Sequence, residues 1–333
     1  MRRPEDIRDR VAGHVLEGAD RWAEAFTAAR PFPHVVIDGF LTEPFCGDIC
    51  AQFPGFDEAA AINENGLVGA KATQEQVRTL GPAFLGMDDL LQSPEFLALL
   101  GRITGIEDLR YDPWYFGGGT HENRQGQDLD PHIDFNYHPI TWQHRRLNLI
   151  VYLNQEWEDA WGGSLQLHRD PRLQPGEDEI VTITPLMNRC VIFETSELSW
   201  HGFQRIELPP DKQGLSRRSF AVYFYTTSRP SAQIAPPHST VYVERHLPER
   251  FAAGYTLTAG DAEELRRLLT RRDQHLQRLY GKLQEQGGRQ GWFGRLESSL
   301  ARRARAFEAA TSISVMPPLR ALRRLLRGRP GSA

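Results

Sequence analysis

Residues 130–139 read DPHIDFNYHP, with two histidines, two aspartates and an asparagine between prolines. In an extended strand, residues i and i+2 share a face about 6.5 Å apart. His132 and Asp134 can therefore offer donors to a single ion. The chain has eleven histidines, so one H-x-D step could arise by accident. A third donor gives the step weight: His201, in VIFETSELSWHGFQRI, 67 residues beyond Asp134. Two neutral imidazoles and one carboxylate occupy one face of a metal and leave three adjacent positions open, a set that suits Fe(II). Sixteen residues further on, RRSFAVYF puts Arg217 and Ser219 on one strand face, where they can grip a carboxylate through charge-assisted hydrogen bonds. Arg218 is the competing cation, and parity with Ser219 favours Arg217. In RLNLIVYLN, Asn148 shares strand parity with Tyr152 and can line the same pocket.

Short strands must position these groups. LRYDPWYF, RLNLIVYLN, GSLQLH, EIVTITP, RCVIFET, SWHGFQRI and RRSFAVYFYTT are rich in aromatic and β-branched residues, and most are separated by turn formers. So many strands without intervening helices predict an antiparallel sandwich or jelly roll. Between them, GGGTHENRQGQDLD (117–130) reads as a long polar loop. Ahead of them, helical spacing predicts an amphipathic helix over 4–28. PFPHVVIDGFL follows as a buried strand, then TEPFCGDICAQF as a helix capped by Thr42. DDLLQSPEFLALLGRIT is expected to be a further helix, with its capping signal at Ser93-Pro94-Glu95. A strong helix begins at Thr258 or Asp261.

Taken together, HID, RRLNLIVYLNQEWEDAWGGSLQLH, RCVIFETSELSWHGF and RRSFAVYFY resemble the catalytic core of the Fe(II)/2-oxoglutarate-dependent oxygenases, in their prolyl 4-hydroxylase-like branch. PFPHVVIDGFL resembles that family's first strand, and the likeness covers roughly residues 31–228. It implies a mainly β fold with flanking helices, a double-stranded β-helix (jelly-roll) core and a C-terminal helical extension. It also implies that His132, Asp134 and His201 ligate iron, that Arg217 and Ser219 bind the distal carboxylate of 2-oxoglutarate, and that Tyr152 hydrogen-bonds that carboxylate. Trp161, Gly162 and Gly163 match a structural turn. The implied co-reactants are Fe(II), 2-oxoglutarate and O2, with ascorbate as an accessory. The implied reaction is hydroxylation of a C–H bond in a peptidyl or small-molecule substrate, with release of succinate and CO2. The presence of the carboxylate Asp134 favours hydroxylation over halogenation.

Plain readings cover most other candidates. His138 is taken as a loop histidine, and neither it nor His144 has a place in the triad. His121 is taken as exposed, His168 as structural, and Asp130 as shaping the turn into the metal strand. Core packing is the default for Trp114 and Trp142, as it is for Cys46 and Cys50.

With 333 residues, 40% hydrophobic and 25% charged, the composition is that of a globular protein. There is no apolar run of membrane-spanning length, and the charged N-terminus lacks a signal peptide's apolar core. Three cysteines do not make a disulfide framework, so a cytoplasmic protein is expected. The expected organisation is an N-terminal helix (1–30), the oxygenase domain (31–228), a connector (229–257) and a helical extension with a basic tail (258–333). Residues 287–333 carry ten arginines and two glutamates, +8 in a chain of net −4. That tail reads as two amphipathic segments that dock on the protein, on a dimer mate or on an anionic membrane. Without a base-reading motif, nucleic acid is the least favoured partner. The alternatives to an enzyme are a non-catalytic jelly-roll binding or sensor protein and a cupin-like metal protein. The complete ligand and clamp set stands against both.

Overall fold

The computed structural model describes residues 6–57, 72–174 and 176–287. The chain divides into two compact units, residues 1–264 and 265–333, and the candidate site lies wholly in the first.

Two antiparallel sheets build that unit. The major sheet runs, in spatial order, through β1 (His34–Ile37), β9 (Cys190–Glu194), β6 (His144–Tyr152), β11 (Arg217–Thr226), β4 (Gly119–Asn123) and β2 (Ala72–Gln74). The short β3 (Arg110–Tyr111) also pairs with β11. The minor sheet runs through β12 (Val241–Tyr242), β5 (Leu129–Ile133), β10 (Trp200–Phe203), β7 (Leu165–His168) and β8 (Ile180–Ile183). This is the jelly-roll architecture expected from the strand pattern.

Alternation along the strands sorts the side chains into two layers. Leu147, Leu149 and Val151 of β6 and Phe220, Val222 and Phe224 of β11 point to one face of the major sheet, where they join residues of the helical layer. On the other face Tyr152, Val191 and Phe193 meet Leu165, Leu167 and Ile183 of the minor sheet. Tilted ring contacts pin the helical layer down: Phe96 to Phe224 at 6.3 Å and Phe84 to Phe220 at 6.1 Å. Each such side chain, fully buried, contributes roughly 1.5–3 kcal/mol.

Several elements differ from expectation. The helix foreseen over 4–28 becomes a one-turn 3-10 segment at Ile7–Asp9, then α1 (Gly13–Glu17) and α2 (Ala19–Ala28), with Gly18 at the junction. Helix α3 (Glu43–Ala51) starts after Thr42, but the Thr42 hydroxyl donates to the Asp9 carbonyl (2.9 Å) instead of capping the helix. The single helix read through Ser93 is two, α4 (Pro82–Gln92) and α5 (Pro94–Thr104). Ser93 stops one by donating to Leu90 O and starts the other by accepting from Phe96 N, while Pro94 takes the first turn, where its missing N–H costs nothing.

The polar stretch 117–130 is not one loop: Gly119–Asn123 is a buried strand between β11 and β2. Gly119 makes this possible. Its φ is +89°, and a Cβ there would sit 2.0 Å from Gln74 O, so only glycine allows the two strands to close up. Helix α6 (Ala259–Gly287) begins where expected, with Asp261 accepting from the Thr258 amide and hydroxyl. Among the described residues no helix is long and apolar enough to cross a membrane, and Cys46, Cys50 and Cys190 are free thiols. The two basic segments expected after residue 287 lie outside the described residues.

Candidate active site

Strands β5 and β10 are neighbours, and their register sets His132 directly opposite His201. Asp134 follows just beyond the end of β5. The three side chains offer ligand atoms that all lie within 4.8 Å of one another. His132 Nε2 is 3.7 Å from Asp134 Oδ1 and His201 Nε2 is 3.5 Å from Asp134 Oδ2. Each imidazole is oriented from behind: Nδ1 of His132 meets Asp130 O at 2.9 Å, and Nδ1 of His201 meets Ser199 O at 2.9 Å. A carbonyl only accepts, so both Nδ1 atoms carry the proton and both Nε2 lone pairs face inward. Metal-bound histidines adopt this arrangement, and the N2O donor set fits a divalent iron.

Arg217 and Ser219, on the face of β11 that looks between the sheets, are both buried. The Arg217 guanidinium donates to Gly163 O (2.5 Å) and to Tyr152 Oη (3.1 Å), and lies over the Phe203 ring. Burial pulls its pKa down, with Tyr152 partly offsetting this. Among the described residues no carboxylate pairs with it, so the space between the sheets holds a buried cation suited to an anionic guest. Arg218 points the other way: its guanidinium meets Glu122 at 3.2 Å and is 42% exposed. Tyr152 lies opposite Ser219 in the β6–β11 ladder. Asn148, opposite Tyr223 and Phe193, is buried, and its Oδ1 has no hydrogen-bond partner. That orphaned amide oxygen is a second sign that the space between the sheets suits a polar occupant.

The Trp-Gly-Gly turn does more than terminate a segment. A Cβ on Gly162 (φ +69°) would stand 1.9 Å from Arg205 O, and the tight turn presents Gly163 O to the Arg217 guanidinium.

The sequence missed Arg145. Its side chain is wholly buried, donates to Asp134 Oδ2 (2.9 Å) and lies over the rings of Tyr223 (3.5 Å) and Phe135 (4.5 Å). Burial alone would lower its pKa; Asp134, Tyr223 and Tyr225 more than offset this and raise it. The available signal was the pair Arg145-Arg146 at the head of a mostly apolar strand.

Other histidines resolve as structural, two of them with corrections. His138 is not an open loop residue: it is buried, its Nδ1 accepts from the amides of Ile140 and Thr141, and its Nε2 therefore donates to Asp112. His121 is not exposed either; it is buried, with Nε2 3.1 Å from Gly117 O. His168 ends β7 against Asp178 at 2.8 Å. Asp130 accepts from Arg245 and supplies the carbonyl that holds His132. Trp142, expected to pack inside, is 42% exposed, while Trp114 packs near His138.

Comparison with known proteins agrees with this geometry. Residues 118–225 match the model of the 2OG-Fe(II) oxygenase superfamily. The chain is 31% identical over 126 residues to the prolyl 3-hydroxylase OGFOD1 of Mus musculus, covering 34% of this chain and 22% of that one. It therefore spans about a fifth of the length of that relative. Among solved structures, a prolyl 4-hydroxylase from Phytophthora capsici is 20% identical, with 98% of this chain and 95% of the other covered at a TM-score of 0.39. The epimerase SnoN from nogalamycin biosynthesis, described as non-heme and alpha-ketoglutarate-dependent, is 15% identical, with 74% and 97% covered at a TM-score of 0.43. The segment matched to the 2OG-Fe(II) oxygenase superfamily, residues 118–225, contains His132, Asp134, His201, Arg217 and Ser219.

Proposed function

We propose that this protein is a 2-oxoglutarate- and Fe(II)-dependent dioxygenase. It hydroxylates an unactivated C–H bond, in a prolyl-like peptidyl residue or a small molecule, and releases succinate and CO2. The observation that carries the reading is the convergence of two oriented Nε2 atoms and the Asp134 carboxylate, in the same inter-sheet space as a buried guanidinium that pairs with no carboxylate among the described residues.

In this reading His132, Asp134 and His201 hold the iron, which when bound supplies adjacent open positions for the 2-oxoacid and O2. The rest of the work is the protein's own. Arg217, with the hydroxyls of Ser219 and Tyr152, receives the distal carboxylate and fixes the direction in which the co-substrate lies. Asn148 offers its amide from the neighbouring strand. Phe193 and Phe203, both buried, keep water from the reacting end. Arg145 neutralises the second oxygen of Asp134 and holds the carboxylate plane. The resemblance to a prolyl 3-hydroxylase supports a prolyl-like substrate, and the unpaired cysteines suit a cytoplasmic setting.

The test needs no substrate. Fe(II) and then 2-oxoglutarate are added anaerobically to metal-free protein, and the visible charge-transfer band between iron and the oxoacid is recorded, with His201→Ala as control. A band in the wild type that disappears in the variant supports the assignment. Its absence from folded, iron-loaded wild type refutes it. A band followed by no succinate in air or with any screened substrate would instead favour a binding or sensor role.

A further inference from the structure

Residues 229–247 read as a connector, yet they run along the edge of the minor sheet beside the strand that carries His132. Strand β12 is an added edge strand in which Val241 pairs with Ile133 and Tyr242 with His132. The Val243 amide donates to Pro131 O at 2.8 Å. Asn136 clasps the same segment from both sides: its Nδ2 donates to Pro236 O (2.9 Å), and its Oδ1 accepts from the His238 amide (3.0 Å). His238 in turn meets Glu197 at 3.0 Å, in the turn that leads to His201. The strap is thus tied to the segments on both sides of the candidate metal site.

What the strap brings there is an aromatic face. The Tyr242 ring is stacked on the His132 imidazole, with centroids 5.1 Å apart and planes 29° from parallel. The hydrogen bond from His132 Nδ1 to Asp130 O holds one edge of that ring, and the Tyr242 face bears on its flat side. A flat neighbour restricts the tilt, because sliding or rotating the imidazole loses contact area with the aromatic surface. The His201 ring, at 4.3 Å and 46°, is inclined and gives no such plane.

We propose that Tyr242 is a positioning residue for the metal centre: carried in by β12, its ring reinforces the plane that the Asp130 carbonyl gives His132, so that Nε2 is kept facing Asp134 and His201. This rests on reading those three residues as the metal site. Groups that orient metal-bound histidines typically alter affinity by about 10- to 100-fold when removed.

The experiment uses the full chain and Co(II), which reports its ligand geometry in the visible spectrum without oxygen chemistry. Co(II) affinity and absorption are measured for the wild type, His132→Ala, Tyr242→Phe and Tyr242→Ala, alongside thermal melting of each metal-free protein. Wild type is expected to bind one ion and His132→Ala none. Tyr242→Phe keeps the flat ring and should stay within about threefold of wild type with an unchanged spectrum. Tyr242→Ala should bind about tenfold or more weakly with altered bands. If Tyr242→Ala does not fold, Val243→Pro, which removes the strap's amide bond to Pro131 and leaves the tyrosine in place, should give the same loss. Wild-type affinity and spectrum in Tyr242→Ala, or equal losses in the Phe and Ala variants, would overturn the inference. Failure of wild-type protein to bind Co(II) at all would instead strike the metal site itself.

Discussion

Arg217 and Arg218 are chemically alike and adjacent, and the strand sends one inward and one outward. Replacing Arg217 with Ala removes a buried charge-assisted contact, which is worth about 1.5–3 kcal/mol. The 2-oxoglutarate concentration needed for half-saturation should then rise by about 10- to 100-fold, while Arg218→Ala, which breaks a half-exposed pair with Glu122, should change it by less than about threefold. Titrating the anaerobic charge-transfer band with 2-oxoglutarate reads both variants, and the opposite ordering would overturn the clamp assignment. Arg145 belongs to the same scale. Substituting Met leaves Asp134 without its cation and should weaken Co(II) or Fe(II) binding by at least about tenfold. Losing one partner of a buried pair should also cost about 3 kcal/mol of folding stability, measurable by urea unfolding of the metal-free chain. That His132 and Asp134 could converge with His201, and that Arg217 and Ser219 share one face, was legible because period-2 spacing on a strand fixes which side chains share a face. Arg145 was not, because its direction depends on an irregularity. The β6–β11 ladder slips between Phe224 and Tyr225, so that Arg145 pairs with Tyr225. Without that slip, simple alternation from Leu147 and Leu149 would turn Arg145 toward the helices.

At the scale of elements, the strands rich in Val, Ile, Phe and Tyr were legible because their own composition specifies them, and those that depend on tertiary contact were not. Strand β4 contains Thr, His, Glu and Asn, all buried, and it exists because β11 and β2 take up its backbone groups on both sides. The split between α4 and α5 turns on one serine that serves two helix ends, and the apolar pattern on either side does not reveal it. Strand β1, by contrast, announces itself, and it carries a titratable group. His34 is buried at the sheet edge opposite Phe193. Burial holds its pKa below the usual histidine value, against the pull of the bond to Phe32 O. In the unfolded chain the same imidazole takes up a proton near pH 6.5. Below that pH the unfolded state binds more protons than the folded one, so this group's contribution to stability falls as the solution is acidified toward the folded pKa. Above pH 6.5 both states are neutral and the contribution is constant. Urea midpoints at pH 7.5 and 5.5 should therefore drop less in His34→Gln than in wild type; an identical drop would show that His34 does not set this part of the pH dependence.

For the molecule as a whole, the stretch after Thr226 has to be counted with the jelly roll in energetic terms. It looks like a linker in sequence because it is rich in proline and polar residues and has no periodic apolar pattern. Its anchorage comes from single long-range bonds that such a pattern cannot encode. Arg229 donates to Arg145 O and Thr195 O. Arg245 donates to the Asp130 carboxylate at 3.0 Å and to the carbonyls of Leu129 (3.0 Å) and Phe203 (2.7 Å). Asp130 is itself buried, so Arg245→Ala removes a cation from a buried carboxylate on the strand that bears His132. The expected cost is about 2–3 kcal/mol, below the full penalty for a broken buried pair because Arg245 is partly exposed. Arg245→Lys should recover only part of this, since one ammonium cannot reproduce the fork that reaches the carboxylate from Nε and both carbonyls from Nη2. The larger test is truncation. The first compact unit extends to residue 264, so a chain ending there should melt cooperatively and retain the Co(II) spectrum. A chain ending at residue 228 loses β12, Arg229 and Arg245 together, and should lose that spectrum and unfold at a lower urea concentration. If the shorter chain matched the longer one in both stability and metal binding, the strap would be a linker after all, and the jelly roll would end with the last strand of its major sheet.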